Sequence, residues 1–152
     1  MPMNRKKLNS LSLKQQIYLE TVFDLCREHG HAHIKAIAER LGNRMPTVTE
    51  AIKGLATKEF INHDIRKNVS LTSKGLILAE KLYHRHAVLA DYYREVLGCS
   101  QAKAEEIACK VEHVVDDEFC DRLAGFAGFL HDKSATGRDL LREFKTFYEA
   151  KE

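Results

Sequence analysis

Apolar side chains recur every three or four residues along most of this chain, which is the period of helices with one buried face. Between Ser12 and His29, Leu19, Val22, Phe23 and Cys26 fall on one side, with Ser12 placed to cap the helix and Gly30 to end it. His33 to Leu41 repeats the pattern through Ile34, Ile37, Ala38 and Leu41, and Gly42-Asn43 closes it in a tight turn. Pro46 suits a first helical turn, and Thr47 to Lys58 continues with Val48, Ala51, Ile52 and Leu55 facing inward. The pattern predicts a helix, a short turn and a second helix.

The period then changes. Phe60 to Ile65 and Val69 to Leu71 read as two short strands around the polar turn Arg66-Lys67-Asn68, a hairpin in the place of a wing. Thr72-Ser73-Lys74-Gly75 opens a long helix predicted to run to Leu97, with Leu82, His86, Leu89, Tyr93 and Val96 on one stripe and Gly98 as its stop. Further helices are predicted over about Gln101 to Val115 and Asp116 to Leu130. A polar turn at Ser134 to Gly137 precedes a last amphipathic segment carrying Leu140, Leu141, Phe144 and Phe147. The fold class expected is mainly α: a winged helix-turn-helix domain over residues 1–75, followed by a helical domain over residues 76–152.

Composition narrows this picture. With 44% hydrophobic and 30% charged residues in 152, the chain has the balance of a globular protein able to bury one good core or two small ones. No stretch approaches the roughly 20 apolar residues that cross a bilayer, and the basic Asn4-Arg5-Lys6-Lys7 has no signal-type apolar segment after it. A cytoplasmic protein with no membrane partner is the expectation. The four cysteines, Cys26, Cys99, Cys109 and Cys120, form no CxxC pair and sit in helical patterns, as reduced thiols do. A net charge of +2 says little about partners, but its placement says more. Basic residues lead in the first half, whereas Glu105 to Asp121 holds seven acidic groups against Lys110.

Two constellations carry chemistry. The second helix of a helix-turn-helix enters the major groove with its first residues at base edges, while flanking groups hold phosphates. Thr47, Thr49, Glu50 and Lys53 are the polar residues of the candidate reading helix, Arg44 lies just before it, and Arg66 and Lys67 at the wing tip, with Lys35 and Arg40, are candidates for phosphate or minor-groove contacts. In the acidic segment, Glu105, Cys109, Glu112, His113 and Asp116 have spacings that bring most of them to one side of a helix. Thiolate, carboxylate and imidazole together suit a first-row transition ion better than calcium or magnesium. His86, on the apolar stripe of the preceding helix, needs a partner and could share such an ion.

At this point the residues resemble a family. Tyr18-Leu19-Glu20, Ile37-Ala38-Glu39-Arg40-Leu41 through Pro46-Thr47-Val48-Thr49, Leu71-Thr72-Ser73-Lys74-Gly75, Arg85-His86 and Cys109-Lys110-Val111-Glu112-His113 resemble, in order and spacing, the DtxR/MntR family of iron- and manganese-dependent repressors. The resemblance covers roughly residues 12 to 125 and is to the short, two-domain type without an SH3-like domain. It implies a homodimer in which a divalent ion, Mn(II) or Fe(II), fixes the spacing of two reading helices on double-stranded operator DNA and represses metal-uptake genes. Carried over by position, it implies Cys109, Glu112 and His113 as principal-site ligands and His86 as a ligand in both metal types. It also implies Glu20 as a first-helix carboxylate ligand of the manganese type, and places Glu105 where iron-type members have a second-site histidine. Ile17 and Ala90 depart from the pattern, each standing where a ligand is found in well-known members.

The apolar stripe Phe119, Leu123, Phe126 and Leu130 is the expected dimer interface. The competing reading is a winged-helix regulator that senses a small organic ligand or thiol oxidation, with Cys109 as a redox switch and no metal requirement. An enzyme is not expected, nor a small organic substrate, because no sequence feature supplies an oxyanion pocket or a phosphate-binding loop.

Overall fold

The computed structural model describes residues 11–64 and 68–151 and is mainly α-helical. Its elements run α1 (Leu13–His29), β1 (Ala32–His33), α2 (Ile34–Leu41), α3 (Met45–Thr57), β2 (Ile61–His63), β3 (Asn68–Leu71), α4 (Ser73–Asp91), α5 (Gln101–Val111), α6 (Asp117–Asp132) and α7 (Ser134–Glu149). They form two compact units, the first ending at Leu82 and the second beginning at Tyr83.

In the first unit the predicted punctuation acts as local chemistry requires. Ser12 accepts from the Gln15 backbone N–H while the Gln15 side chain accepts from Ser12 N–H, a reciprocal cap. Gly30 and Gly42 adopt the left-handed conformation that ends α1 and α2. Pro46 lies in the first turn of α3, where its missing N–H costs nothing. Tyr18, Leu19, Val22, Ile37, Val48, Ile52 and Leu55 form the fully buried centre. The buried Tyr18 hydroxyl accepts a 2.9 Å hydrogen bond from the Asn43 amide, which ties α1 to the turn between α2 and α3.

The wing is a three-stranded antiparallel sheet in the order β1-β3-β2, with Ala32 opposite Val69 and His63 opposite Val69. The two-residue β1 was not predicted, being too short to show a period of two. Arg66 and Lys67, expected at the wing tip, lie outside the described residues. At the junction after the wing, Thr72 donates its hydroxyl to the Glu59 carbonyl at 2.7 Å and accepts from Gly75 N–H at 3.0 Å, capping α4. A Cβ on Gly75 would overlap the Phe60 carbonyl, so the packing of this junction demands glycine.

The second unit departs from expectation in three places. The long helix does not stay α-helical to Leu97: it ends at Asp91 and continues as a π-helical turn over Tyr92–Val96, with Leu97 N–H donating to the Tyr92 carbonyl. α5 stops at Val111 rather than Val115, leaving a turn before the Asp116 side chain caps α6 by accepting from Phe119 N–H at 2.9 Å. The polar turn predicted at Ser134 to Gly137 is helical; the break falls at Lys133. Gly137 is there because α7 passes so close to the Leu130 carbonyl that a Cβ would collide with it. Leu89, Ala90 and Ala108 are the buried core of this unit, with Tyr93, Val111, Val115 and Leu123 packed around them.

Candidate metal centre and nucleic-acid face

Three donor groups of the second unit converge on one point. His86 stands on α4, Cys109 on the last full turn of α5, and Glu112 one turn further on at the C-cap of that helix. The three-residue step brings thiol and carboxylate to one face of α5, across from the imidazole. One ligand atom from each lies within 4.8 Å of the other two. Glu112 Oε2 is 3.0 Å from His86 Nδ1, and Cys109 Sγ is 3.8 Å from the same nitrogen. These are separations that neighbouring ligands of one ion adopt when bonds are roughly 2.0–2.3 Å long.

The carboxylate identifies what the arrangement is built for. Glu112 is 4% exposed, and its Oε2 accepts no hydrogen bond from any described residue. Burying a carboxylate is costly unless a positive charge stands beside it, which in the ion-free chain is the His86 imidazole 3.0 Å away. A divalent ion meets that requirement, and nitrogen, sulphur and oxygen donors together suit a first-row transition ion. The residues present therefore fit a metal.

Glu105 occupies the other side of the imidazole. Its Oε2 is 2.6 Å from His86 Nε2, so the carboxylate accepts from the Nε2–H and leaves Nδ1 facing Cys109 and Glu112. Glu112 raises the His86 pKa from its ordinary 6.5 to about 9, burial opposes the shift, and Glu105 adds to it. Without an ion, the two carboxylates hold this histidine protonated. His113, in the turn after α5, has its Nε2 3.5 Å from Glu112 Oε1. Burial pushes its pKa below the ordinary value against the pull of Glu112, keeping its ring neutral and fit to ligate.

Arg85, noted in the sequence only as the residue before His86, gains a structural role here. It is 6% exposed, pairs with Asp117 through two hydrogen bonds of 2.7 and 2.9 Å, and reaches the Glu112 carbonyl at 3.5 Å. The pair ties the first turn of α6 to α4, and the same guanidinium holds the Glu112 peptide. A charged residue on a buried helix flank was the available signal.

Other residues singled out by the sequence take the following places in their own units. Glu20 is half-buried on α1, in the first unit. Ile17 is an exposed apolar residue and offers no donor, and Ala90 is part of the second unit's core. Asp116 is used as a helix cap.

On the first unit, α3 turns Val48, Ile52 and Leu55 inward and leaves Thr47, Glu50 and Lys53 exposed, with Arg44 at its N-cap. Lys53 Nζ is 3.1 Å from Glu50, Thr49 bonds back to the Met45 carbonyl at 2.9 Å, and Lys35 is exposed on α2. These are surface contacts that exchange partners at small cost.

Comparison with known proteins decides the family. A family model described as the N-terminal DNA binding domain of iron dependent repressors matches residues 10–69, and one described as their metal binding and dimerisation domain matches residues 72–139. The chain belongs to the iron-dependent repressor family. Iron-dependent repressors are metal-dependent transcriptional regulators, and this member carries both of their domains; it is a regulator and not an enzyme. It is 26% identical over 128 residues to the HTH-type transcriptional regulator MntR of Oceanobacillus iheyensis, covering 84% of this chain and 86% of that one. An HTH-type transcriptional regulator of Methanocaldococcus jannaschii is 31% identical over 118 residues, 76% of this chain and 94% of its own. Among solved structures, the manganese regulator SloR superposes with a TM-score of 0.66 at 30% identity, over 76% of this chain and 54% of that one. A manganese-dependent transcriptional repressor solved with manganese gives a TM-score of 0.68 at 28% identity, over 76% and 53%. The chain spans about half the length of these two structures. No helix among the described residues is long and apolar enough to cross a membrane.

Proposed function

We propose that His86, Cys109 and Glu112 hold a divalent transition ion, Mn(II) or Fe(II), with His113 beside them, and that a homodimer so loaded binds double-stranded operator DNA and represses metal-uptake genes. The observation that carries this reading is the buried Glu112 Oε2, 3.0 Å from His86 Nδ1 and without a hydrogen bond from any described residue. A bound ion would replace the His86 proton as the positive charge between these donors and would cross-link α4 to α5. Glu105 accepts the Nε2 proton of His86 and so presents Nδ1 as the ligand atom. Arg85 and Asp117 fix the Glu112 peptide.

The ion changes DNA affinity only through different affinities for two protein states, typically worth about 1–3 kcal/mol of coupling. The partner of the second unit is a second copy of the chain. Phe119 and Phe126 are 46% and 48% exposed on α6, an apolar face that water does not favour, while Leu123 and Leu130 turn partly or wholly into their own unit. On the first unit, Arg44, Thr47, Glu50 and Lys53 present the groove-reading face, with Thr49 half-buried on the same helix and Lys35 exposed on α2.

Fluorescence anisotropy with a duplex from the promoter upstream of the chain's own gene, anaerobically and at fixed salt, tests the proposal. Addition of Mn(II) or Fe(II) tightens binding about 5- to 150-fold on this account. Equal affinity with and without either ion refutes it and returns the cluster to a structural role.

A further inference from the structure

A second pair of metal-type donors lies in the first unit, far along the chain from the Cys109 cluster and independent of it. The segment His29-Gly30-His31-Ala32-His33 places three histidines at alternate positions. Histidine-rich tracts of this kind are a compositional signature of metal binding. Gly30 ends α1 in the left-handed conformation, and the chain then enters β1, where alternate residues face the same side. Ala32 is fully buried opposite Val69, so His31 and His33 both turn outward, and both are exposed. Pairing of His33 with Asn68 on β3 holds the strand in place.

The outward rings meet edge to face, with centroids 4.6 Å apart and an interplanar angle of 81°. Their Nε2 atoms are 3.0 Å apart. An ion with bonds of about 2.0–2.1 Å to two imidazole nitrogens in neighbouring positions holds them roughly 3.0–3.4 Å apart. The strand therefore presents two nitrogens at the bite of a chelate, with the remaining coordination positions open to water.

We propose that His31 and His33 form a second, imidazole-only site for a borderline divalent ion of the Ni(II), Cu(II) or Zn(II) class. The donor chemistry sets the preference. Imidazole suits those ions, and affinity for a nitrogen site rises along the series from manganese to copper, so Mn(II) gains little here. The mixed oxygen, sulphur and nitrogen cluster on α4 and α5 also binds these ions but offers carboxylate oxygen to Mn(II), so Mn(II) is the ion that tells the two sites apart. An ion on β1 also adds positive charge to the DNA-binding unit, which strengthens its attraction to phosphates.

The test is titration of the full chain, free of any affinity tag, with Ni(II) alone and with Mn(II) alone, followed by calorimetry. Both histidines are exposed, so His31→Ala and His33→Ala leave the fold intact, which circular dichroism and the unfolding temperature verify. Each variant loses one Ni(II) equivalent per chain while its Mn(II) titration matches the parent. Because a chelate needs both rings, a Ni(II) stoichiometry unchanged in either variant overturns the proposal. Cys109→Ala with Glu112→Ala keeps the β1 equivalent, so failure of the α4–α5 site and failure of this one give different results.

Discussion

Oε2 of Glu112 lies 3.0 Å from Nδ1 of His86 and yet accepts no hydrogen bond from any described residue. That separation is one that two ligands of a common ion also adopt, and in the ion-free chain the carboxylate faces the protonated imidazole across it. The arrangement explains why the fold tolerates a glutamate that is 4% exposed.

Glu105 acts on the site from behind, through the far nitrogen of the imidazole. Outer partners of metal-bound histidines are typically worth about 10- to 100-fold in affinity. Glu105→Ala is expected to weaken metal binding by about that factor with the number of ions bound unchanged, and Glu105→Gln, which keeps an acceptor, by less. A lost equivalent of metal in calorimetry would instead make Glu105 a ligand.

Proton competition follows from the same geometry. His86 titrates at about 9 in the folded, ion-free chain against an ordinary 6.5. A raised folded pKa stabilises the fold fully below pH 6.5, and that stabilisation is lost as pH climbs through about 9. His86 ligates only after Nδ1 releases its proton, so metal affinity moves the opposite way and rises with pH across this window. Measured binding constants that are flat from pH 6.5 to 9 would contradict the assignment of His86.

The self-association face is tested on α6. Phe119→Glu combined with Phe126→Glu places two charges on residues that are about half exposed and contribute little to their own unit's core. Sedimentation is expected to show the parent as a dimer and the variant as a monomer with helical content preserved. A dimeric variant would move the interface elsewhere.

For the DNA face, phosphate and base contacts are separable by salt. Lys35→Ala is expected to weaken operator and non-specific duplex alike and to lower the salt slope by about one unit. Thr47→Ala is expected to cost about 1 kcal/mol on the operator alone. The reverse pattern in anisotropy titrations would exchange their roles.

Much of this was legible in the sequence because short-range chemistry wrote it. Ser12, Gly30 and Gly42 mark helix ends through caps that only a few residue types make, and the inward faces of α1 to α3 follow from the helical period. Cys109 and Glu112 were legible as a pair because three residues make nearly one turn of helix. What depends on contact between distant segments was not. Gly137 carries the composition of a turn, but its reason is the Leu130 carbonyl of the neighbouring helix. The π-helical turn at Tyr92–Val96 adds a residue to a ladder whose apolar spacing still reads as α-helix. Likewise, spacing placed Glu105 beside Cys109 and Glu112, but only the fold shows that it takes the opposite nitrogen of His86.

The central claim is that this cluster couples metal to DNA. Its most direct test is an anisotropy titration of one promoter duplex with Mn(II) or Fe(II), comparing the parent chain with His86→Ala and with Glu112→Ala at fixed salt. The account predicts that the parent tightens with the ion and that both variants keep only the parent's ion-free affinity, with no response to the ion. Variants that tighten as the parent does would show that DNA binding is controlled from somewhere other than His86 and Glu112.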